Sequence, residues 1–227
     1  MSWITEMLFP RRCLLCEQLL LPKETASLCD ECQIEQYVIT GPHCRICSRT
    51  VSEEGAVCIS CLMHGTTVSG KSILEYRGAV RDSIHRFKYE NQKSYAAGYA
   101  GIMLRYAHID EAVCFVPIPI HKKRLRERGY NQALELCREL TKRTGIPTME
   151  LLERVKNTSA QNRLSSQARR ENLEGAFEAV KMEVPKGTLI LVDDIYTSGA
   201  TIETAAAVLQ KTYPDHTVRF LTLAMRI

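Results

Sequence analysis

No stretch of the chain approaches the ~20 consecutive apolar residues that a bilayer span requires, which argues against an integral membrane protein. The first ten residues, with Glu6 among them, lack the basic-then-apolar order of an export signal. A cytoplasmic location is therefore expected, with a peripheral position at the inner face of the cell membrane left open. Strong charge is also lacking. A formal net charge of +4 and a pI near 8.5 are too mild to mark a nucleic-acid-binding protein by themselves. What is abundant is cysteine, at ten residues, and in a reducing compartment regularly spaced cysteines point to metal rather than to disulfides.

Eight of those cysteines fall in the first 61 residues, and only Cys114 and Cys137 lie beyond. This shift sets an expected boundary at residue 64, between a small module (1–64) and one larger domain (65–227). The module holds four C-x-x-C pairs, Cys13 with Cys16, Cys29 with Cys32, Cys44 with Cys47 and Cys58 with Cys61, separated by 12, 11 and 10 residues. A two-residue spacer lets one turn offer two thiolates, so eight ligands suit two tetrahedral zinc ions. Such a short segment buries little apolar surface, and the metal is expected to supply much of its folding free energy. Spacing leaves two pairings open, sequential ribbons or a cross-braced arrangement. His43 and His64 flank ligands but are surplus to two filled sites, and Cys114 and Cys137 sit at apolar positions and read as core.

In the larger domain Lys71 to Tyr76 is strand-like, and Ala79 to Tyr89 and Ser94 to Tyr106 carry apolar residues at helical spacing. Ala112 to Ile118 reads as a buried strand, and Asn131 to Thr144 as a helix stopped by Gly145 and Pro147. Thr148 to Val155 and Gly175 to Val180 read as short strands flanking a polar loop over residues 157–172. Thr188 to Val192 is a continuous apolar strand, Thr201 to Lys211 a helix, and Thr217 to Arg226 a closing strand. Strands alternating with helices predict a mainly parallel α/β sheet.

Gly65 to Ser72 spells G-x-x-x-x-G-K-S, a phosphate-loop pattern. That loop needs a strand before it and a helix after it. Here a cysteine turn precedes and a strand-like segment follows, so a linker is expected.

The segment Val192-Asp193-Asp194-Ile195-Tyr196-Thr197-Ser198-Gly199-Ala200-Thr201 carries the most chemistry. Adjacent acids at the carboxyl end of a parallel strand can accept hydrogen bonds from vicinal hydroxyls or face a hydrated magnesium ion. Thr197, Ser198, Gly199, Ala200 and Thr201 then give small side chains and exposed amides ahead of a helix, a turn suited to phosphate. Capping by Ser198 and Thr201 would explain the hydroxyls but not the acids. Two basic runs complete the picture. Lys122, Lys123, Arg124, Arg126 and Arg128 crowd around one acid, and Arg154, Lys156, Arg163, Arg169 and Arg170 span a stretch with none.

The ten-residue segment resembles the signature by which type I phosphoribosyltransferases bind 5-phosphoribosyl-1-pyrophosphate (PRPP). Almost the whole chain is similar to one branch of them, the ComF/GntX-like proteins. The likeness takes in the cysteine-rich start, which resembles a double zinc ribbon, then Tyr76-Arg77-Gly78 through Phe87-Lys88-Tyr89, and Val116-Pro117-Ile118-Pro119 followed by Arg124-Leu125-Arg126-Glu127-Arg128-Gly129-Tyr130-Asn131-Gln132. Gln161, Leu164, Arg170, Asn172 and Phe177 resemble a later motif.

The resemblance implies a phosphoribosyltransferase-like domain that binds PRPP with magnesium through Asp193, Asp194 and Thr197 to Thr201. It places Lys122, Lys123, Arg124 and Arg128, in the turn after the first core strand, at the pyrophosphate, and residues 157–172 as a flap over the site; Leu125, apolar within that basic turn, suggests that at least one of its residues faces inward. It implies PRPP binding more firmly than turnover, since no general base and no acceptor-recognition segment stands out. Two functions stay open: handling of incoming single-stranded DNA with the DNA-uptake machinery, or an active salvage phosphoribosyltransferase. Tyr89, Tyr130 and Tyr196 lie near the motifs and read first as packing residues, although stacking on bases would serve the former.

Overall fold

The computed structural model describes residues 11–20, 27–156 and 173–226. The expected polar flap, with Gln161, Arg163, Leu164, Arg169, Arg170 and Asn172, lies outside the described residues. Strand β1 (Gly70–Glu75) leads to helices α2 (Gly78–Tyr89) and α3 (Tyr95–Tyr106), preceded by a short helix α1 (Ile59–His64). Strand β2 (Ala112–Pro117) is followed by α4 (Lys122–Arg128) and α5 (Gln132–Thr144). Two short strands, β3 (Leu152–Arg154) and β4 (Phe177–Ala179), precede β5 (Thr188–Tyr196), α6 (Ala200–Thr212) and β6 (Thr217–Met225). The main sheet runs β1-β6-β5-β2, with all three pairings parallel. The predicted α/β class with a parallel sheet is therefore present. β3 and β4 form a separate antiparallel pair. Among the described residues no helix is long and apolar enough to cross a membrane.

β5 is central because its residues are apolar on both sides. Leu189 and Leu191 enter one core cluster and Ile190 and Val192 the other, as the period of two requires. Burial of each stabilises the fold by about 1.5–3 kcal/mol. On one face lie α6, the β3–β4 pair and the second cysteine group; on the other lie α2, α3, most of α5 and the first group. The two ribbons thus flank the sheet, each inside one core cluster. Cys114 and Cys137 are fully buried core residues.

Three local expectations change. β5 runs past Val192 to Tyr196, because β6 keeps pairing along it as far as Tyr196 opposite Met225. Its other neighbour, β2, stops at Pro117 opposite Val192, so Asp193 and Asp194 lie on a strand edge with no neighbour on that side. The basic turn is instead a helix, α4, capped by the His121 ring, which accepts from the Lys123 amide at 3.2 Å, and ended by Gly129 at φ 81°. Thr148 to Val155 is strand only over Leu152–Arg154. Gly65, at φ 58°, ends α1, and Lys71 and Ser72 belong to β1, so the G-x-x-x-x-G-K-S string is a helix stop followed by a strand.

Candidate functional site

The cysteines gather sequentially. In Cys13, Cys16, Cys29 and Cys32, and again in Cys44, Cys47, Cys58 and Cys61, the four sulfurs lie within 4.8 Å of one another. Tetrahedral zinc–thiolate bonds of about 2.3 Å place sulfurs about 3.8 Å apart. The Sγ atoms of Cys16 and Cys29 are 3.6 Å apart, and those of Cys47 and Cys58 are 3.7 Å apart. Backbone amides support the charge, as the Cys58 amide donates to Cys44 Sγ at 3.3 Å and the Cys61 amide to Cys58 Sγ at 3.4 Å. Burial raises the Cys44 thiol, yet the amides of Cys58, Cys47 and Ile46 bring it down to about 7. The two groups fit two zinc ions. His43 and His64 belong to neither; His43 Nδ1 is 3.0 Å from the Gly41 carbonyl and Nε2 is 3.3 Å from Lys71 Nζ.

At the carboxyl edge of the sheet lies a cleft of about 640 Å³. β5 contributes Asp193 and Asp194, α2 contributes Lys88, α4 contributes Arg124 and Arg128, and β3 contributes Arg154. Lys88 Nζ meets Asp194 Oδ1 at 2.8 Å with both side chains largely buried. Asp193 Oδ1 accepts from the Asp194 amide at 2.8 Å. Burial, and then the charge of Asp194, push the Asp193 carboxyl up to about 7 despite the opposing pull of Lys88 and Arg154. On the facing wall burial and the nearby charges of Arg124 and Arg128 bring Arg154 down to about 10, and burial with Arg128 lowers Arg124. Two carboxylates thus sit opposite crowded guanidinium groups, an arrangement that suits a ligand with a polyanionic end and a hydroxyl- or cation-bearing end.

The turn after β5 is shaped by Gly199, at φ 80°, where a Cβ would fall 2.3 Å from the Tyr196 hydroxyl oxygen. No side chain caps α6, so neither Ser198 nor Thr201 acts as its cap and the first-turn amides keep their capacity for an anion. Thr197 and Thr201 line the cleft, whereas Ser198, Gly199 and Ala200 do not. From the first turn of α6, Glu203 reaches back to accept from the amides of Thr67 and Val68, at 3.2 and 3.1 Å, and from the Thr67 hydroxyl at 3.3 Å. The segment that leads out of the second ribbon into β1 is therefore strapped to the helix that begins at this turn. Tyr196 is stacked on Phe220, and burial first, then the nearby Cys47 and Cys61 sulfurs, push its hydroxyl up.

The structure brings together Asp193, Asp194, Thr197, Thr201, Arg124 and Arg128. Lys122 and Lys123 are exposed outside the cleft lining, because only residues four apart on α4 share its inner face. Leu125 does not turn inward; it is 41 % exposed, and the half-buried positions of α4 are arginines. Sequence reasoning did not single out Lys88 as a site residue. Its signal was a lysine at the end of a predicted amphipathic helix, and its contact with an aspartate 106 residues later is visible only in the fold. Tyr130 and Tyr196 are packing residues at 5 % and 4 % exposure, whereas Tyr89 is 56 % exposed.

Residues 4–62 match the model of the double zinc ribbon domain. The chain is 30 % identical over 197 residues to competence protein F of Haemophilus influenzae, covering 81 % of this chain and 84 % of that protein. It is 28 % identical over 218 residues to competence protein ComFC of Bacillus subtilis, with coverages of 87 % and 88 %. Over 189 residues it is 24 % identical to the DNA utilization protein YhgH of Escherichia coli, with coverages of 73 % and 83 %. Likeness at 30 % identity over more than four-fifths of each chain means that the chain belongs to the competence protein F family.

Proposed function

We propose that the protein handles single-stranded DNA during DNA uptake, and that its cleft binds PRPP with magnesium as a structural or regulatory ligand. The observation that carries the ligand is the meeting of Asp193 and Asp194 with Lys88, Arg124, Arg128 and Arg154 in one cleft beside an uncapped helix start. The carboxylates suit the ribose hydroxyls or a hydrated magnesium ion, the arginines the pyrophosphate, and the Thr197 to Thr201 turn the 5-phosphate. Asp193 and Asp194 would hold magnesium, which would supply positive charge to offset the repulsion between carboxylates and phosphates. The names of the relatives, competence proteins and DNA utilization proteins, support the DNA role. In this reading residues 1–64 brace the ligand-binding domain, 65–227.

Titration of PRPP with magnesium into wild type and Asp193→Ala, with and without an oligonucleotide, tests it. Saturable binding lost in the variant is expected. Absence of PRPP binding in zinc-replete wild type would remove the ligand, and pyrophosphate release with a particular nucleobase would replace a regulatory role with catalysis.

A further inference from the structure

Along α2, Arg81, His85 and Tyr89 follow one another at four-residue intervals, all exposed and all lining the cleft on its outer lip. The buried face of the same helix holds Val80, Ile84 and Phe87, so the stripe is not part of the packing. Tyr89 belongs to neither core cluster and is 56 % exposed. It is nevertheless held in place. The Arg128 guanidinium lies 5.0 Å from its ring centroid and donates to its hydroxyl at 3.2 Å, while the other arm of Arg128 donates to Gln132 at 3.1 Å. The His85 ring packs at 4.8 Å, tilted by 45°. An aromatic side chain fixed by two neighbours in a residue that is still more than half exposed is preorganised to stack on another flat ring.

From this geometry we propose that Tyr89, flanked by Arg128 and His85, is a nucleobase-stacking site at the mouth of the cleft. It takes one base of a single strand whose adjacent phosphates meet Arg128 and Arg81. Arg81 is available for that contact, since its 3.0 Å pairing with Asp82 is between exposed groups and is easily exchanged. A base is the chemistry selected because a bare anion site needs no aromatic surface, and an apolar ligand gains nothing from the surrounding cations. The inference rests on the proposed role in handling single strands and adds the place where the strand is held.

The test is the binding of a labelled oligothymidylate to zinc-replete wild type, Tyr89→Ala and Tyr89→Phe, without PRPP or magnesium and across a range of salt. Removing a stacked base costs about tenfold in affinity. Tyr89→Ala is expected to lose that factor at every salt concentration with an unchanged salt slope, since no phosphate contact is removed. Tyr89→Phe keeps the ring and should retain most of the affinity. An abasic strand of the same length should not distinguish Tyr89→Ala from wild type. Equal affinity of wild type and Tyr89→Ala for the oligothymidylate would overturn the proposal, as would failure of wild type to bind it. A free nucleoside that displaces the strand at concentrations near the strand's own Kd would assign the site to a small base and overturn the strand. Because PRPP is omitted, loss of the PRPP reading leaves this result standing.

Discussion

The two cysteine groups have the same ligand set and the same C-x-x-C pairs, separated by 12 residues in the first and 10 in the second, yet they occupy different places in the molecule. The first keeps Cys16 exposed and Cys29 and Cys32 half-buried, and Arg86 ties it to α2 by donating to the carbonyls of Leu14 and Leu15 at 3.1 and 2.9 Å. In the second all four cysteines are buried, in one core cluster with Tyr196, Ala200 and Ile202 next to the phosphate-type turn. Identical metal chemistry thus serves two ends: one ribbon braces the helices of one face, and the other underlies the proposed ligand site.

Disabling each ribbon in turn is the most forceful way to break that contrast. Cys58→Ser removes a buried ligand and is expected to lower the melting temperature by on the order of 10 °C and to abolish PRPP binding. Cys16→Ser should lose zinc at the exposed site with a smaller drop and with PRPP binding retained. Metal content, melting curves and titration on both variants decide it, and equal loss of binding would erase the distinction.

A subtler cut severs the strap alone. Glu203→Ala leaves two amides and a hydroxyl without their carboxylate and should cost about 1–3 kcal/mol. It should also weaken PRPP severalfold while both zincs remain. Amide hydrogen exchange at Thr67 and Val68 should accelerate, and unaltered exchange would show that the ribbon is held by packing only.

The charge of the cleft can be separated from its support by pH. The Asp193 carboxyl lies at about 7 in the fold and near 3.9 when unfolded. Below about 4 both states are protonated and the stabilisation is complete; as pH rises towards and through 7 the folded state is forced to ionise a buried acid, and that stability is lost. Asp193→Asn should therefore melt increasingly above wild type between pH 5 and pH 8. A gap that does not change with pH would contradict a raised carboxyl.

The smallest effect is expected at the rim of the first ribbon. Arg105 pairs with Glu35 at 3.3 Å with both side chains more than 60 % exposed, so Arg105→Ala should change stability by at most about 0.5 kcal/mol. A larger loss in a denaturant titration would mean that surface charge, not the packing around Arg86, anchors that ribbon.

Much of the architecture was legible because its signals are local. The apolar run from Thr188 to Val192 reads as a strand buried on both faces, and the face through Leu134, Cys137 and Leu140 as a helix, although Leu136 rather than the half-buried Leu134 joins Cys137 and Leu140 in the core. The basic segment Lys122–Arg128 is a helix that its sequence hides, since charged residues leave it no apolar stripe, and Leu125 shows that hydrophobicity alone does not set which way a side chain faces. The end of β5 was placed early because the acids interrupt the pattern, while the ladder with β6 continues through them.

By itself the sequence determined the metal ligands, the parallel α/β class and the identity of the acidic pair, since each depends on residues close together in the chain. Only the tertiary structure decided that the cysteines pair sequentially, that Lys88 faces Asp194, that Arg124 and Arg128 enter the cleft without Lys122 and Lys123, and that Glu203 binds the segment after the second ribbon to the helix that follows the turn. Each of these depends on the facing of a side chain or on a contact between distant segments. Helix phase and sheet order set such relations, and no local pattern encodes them.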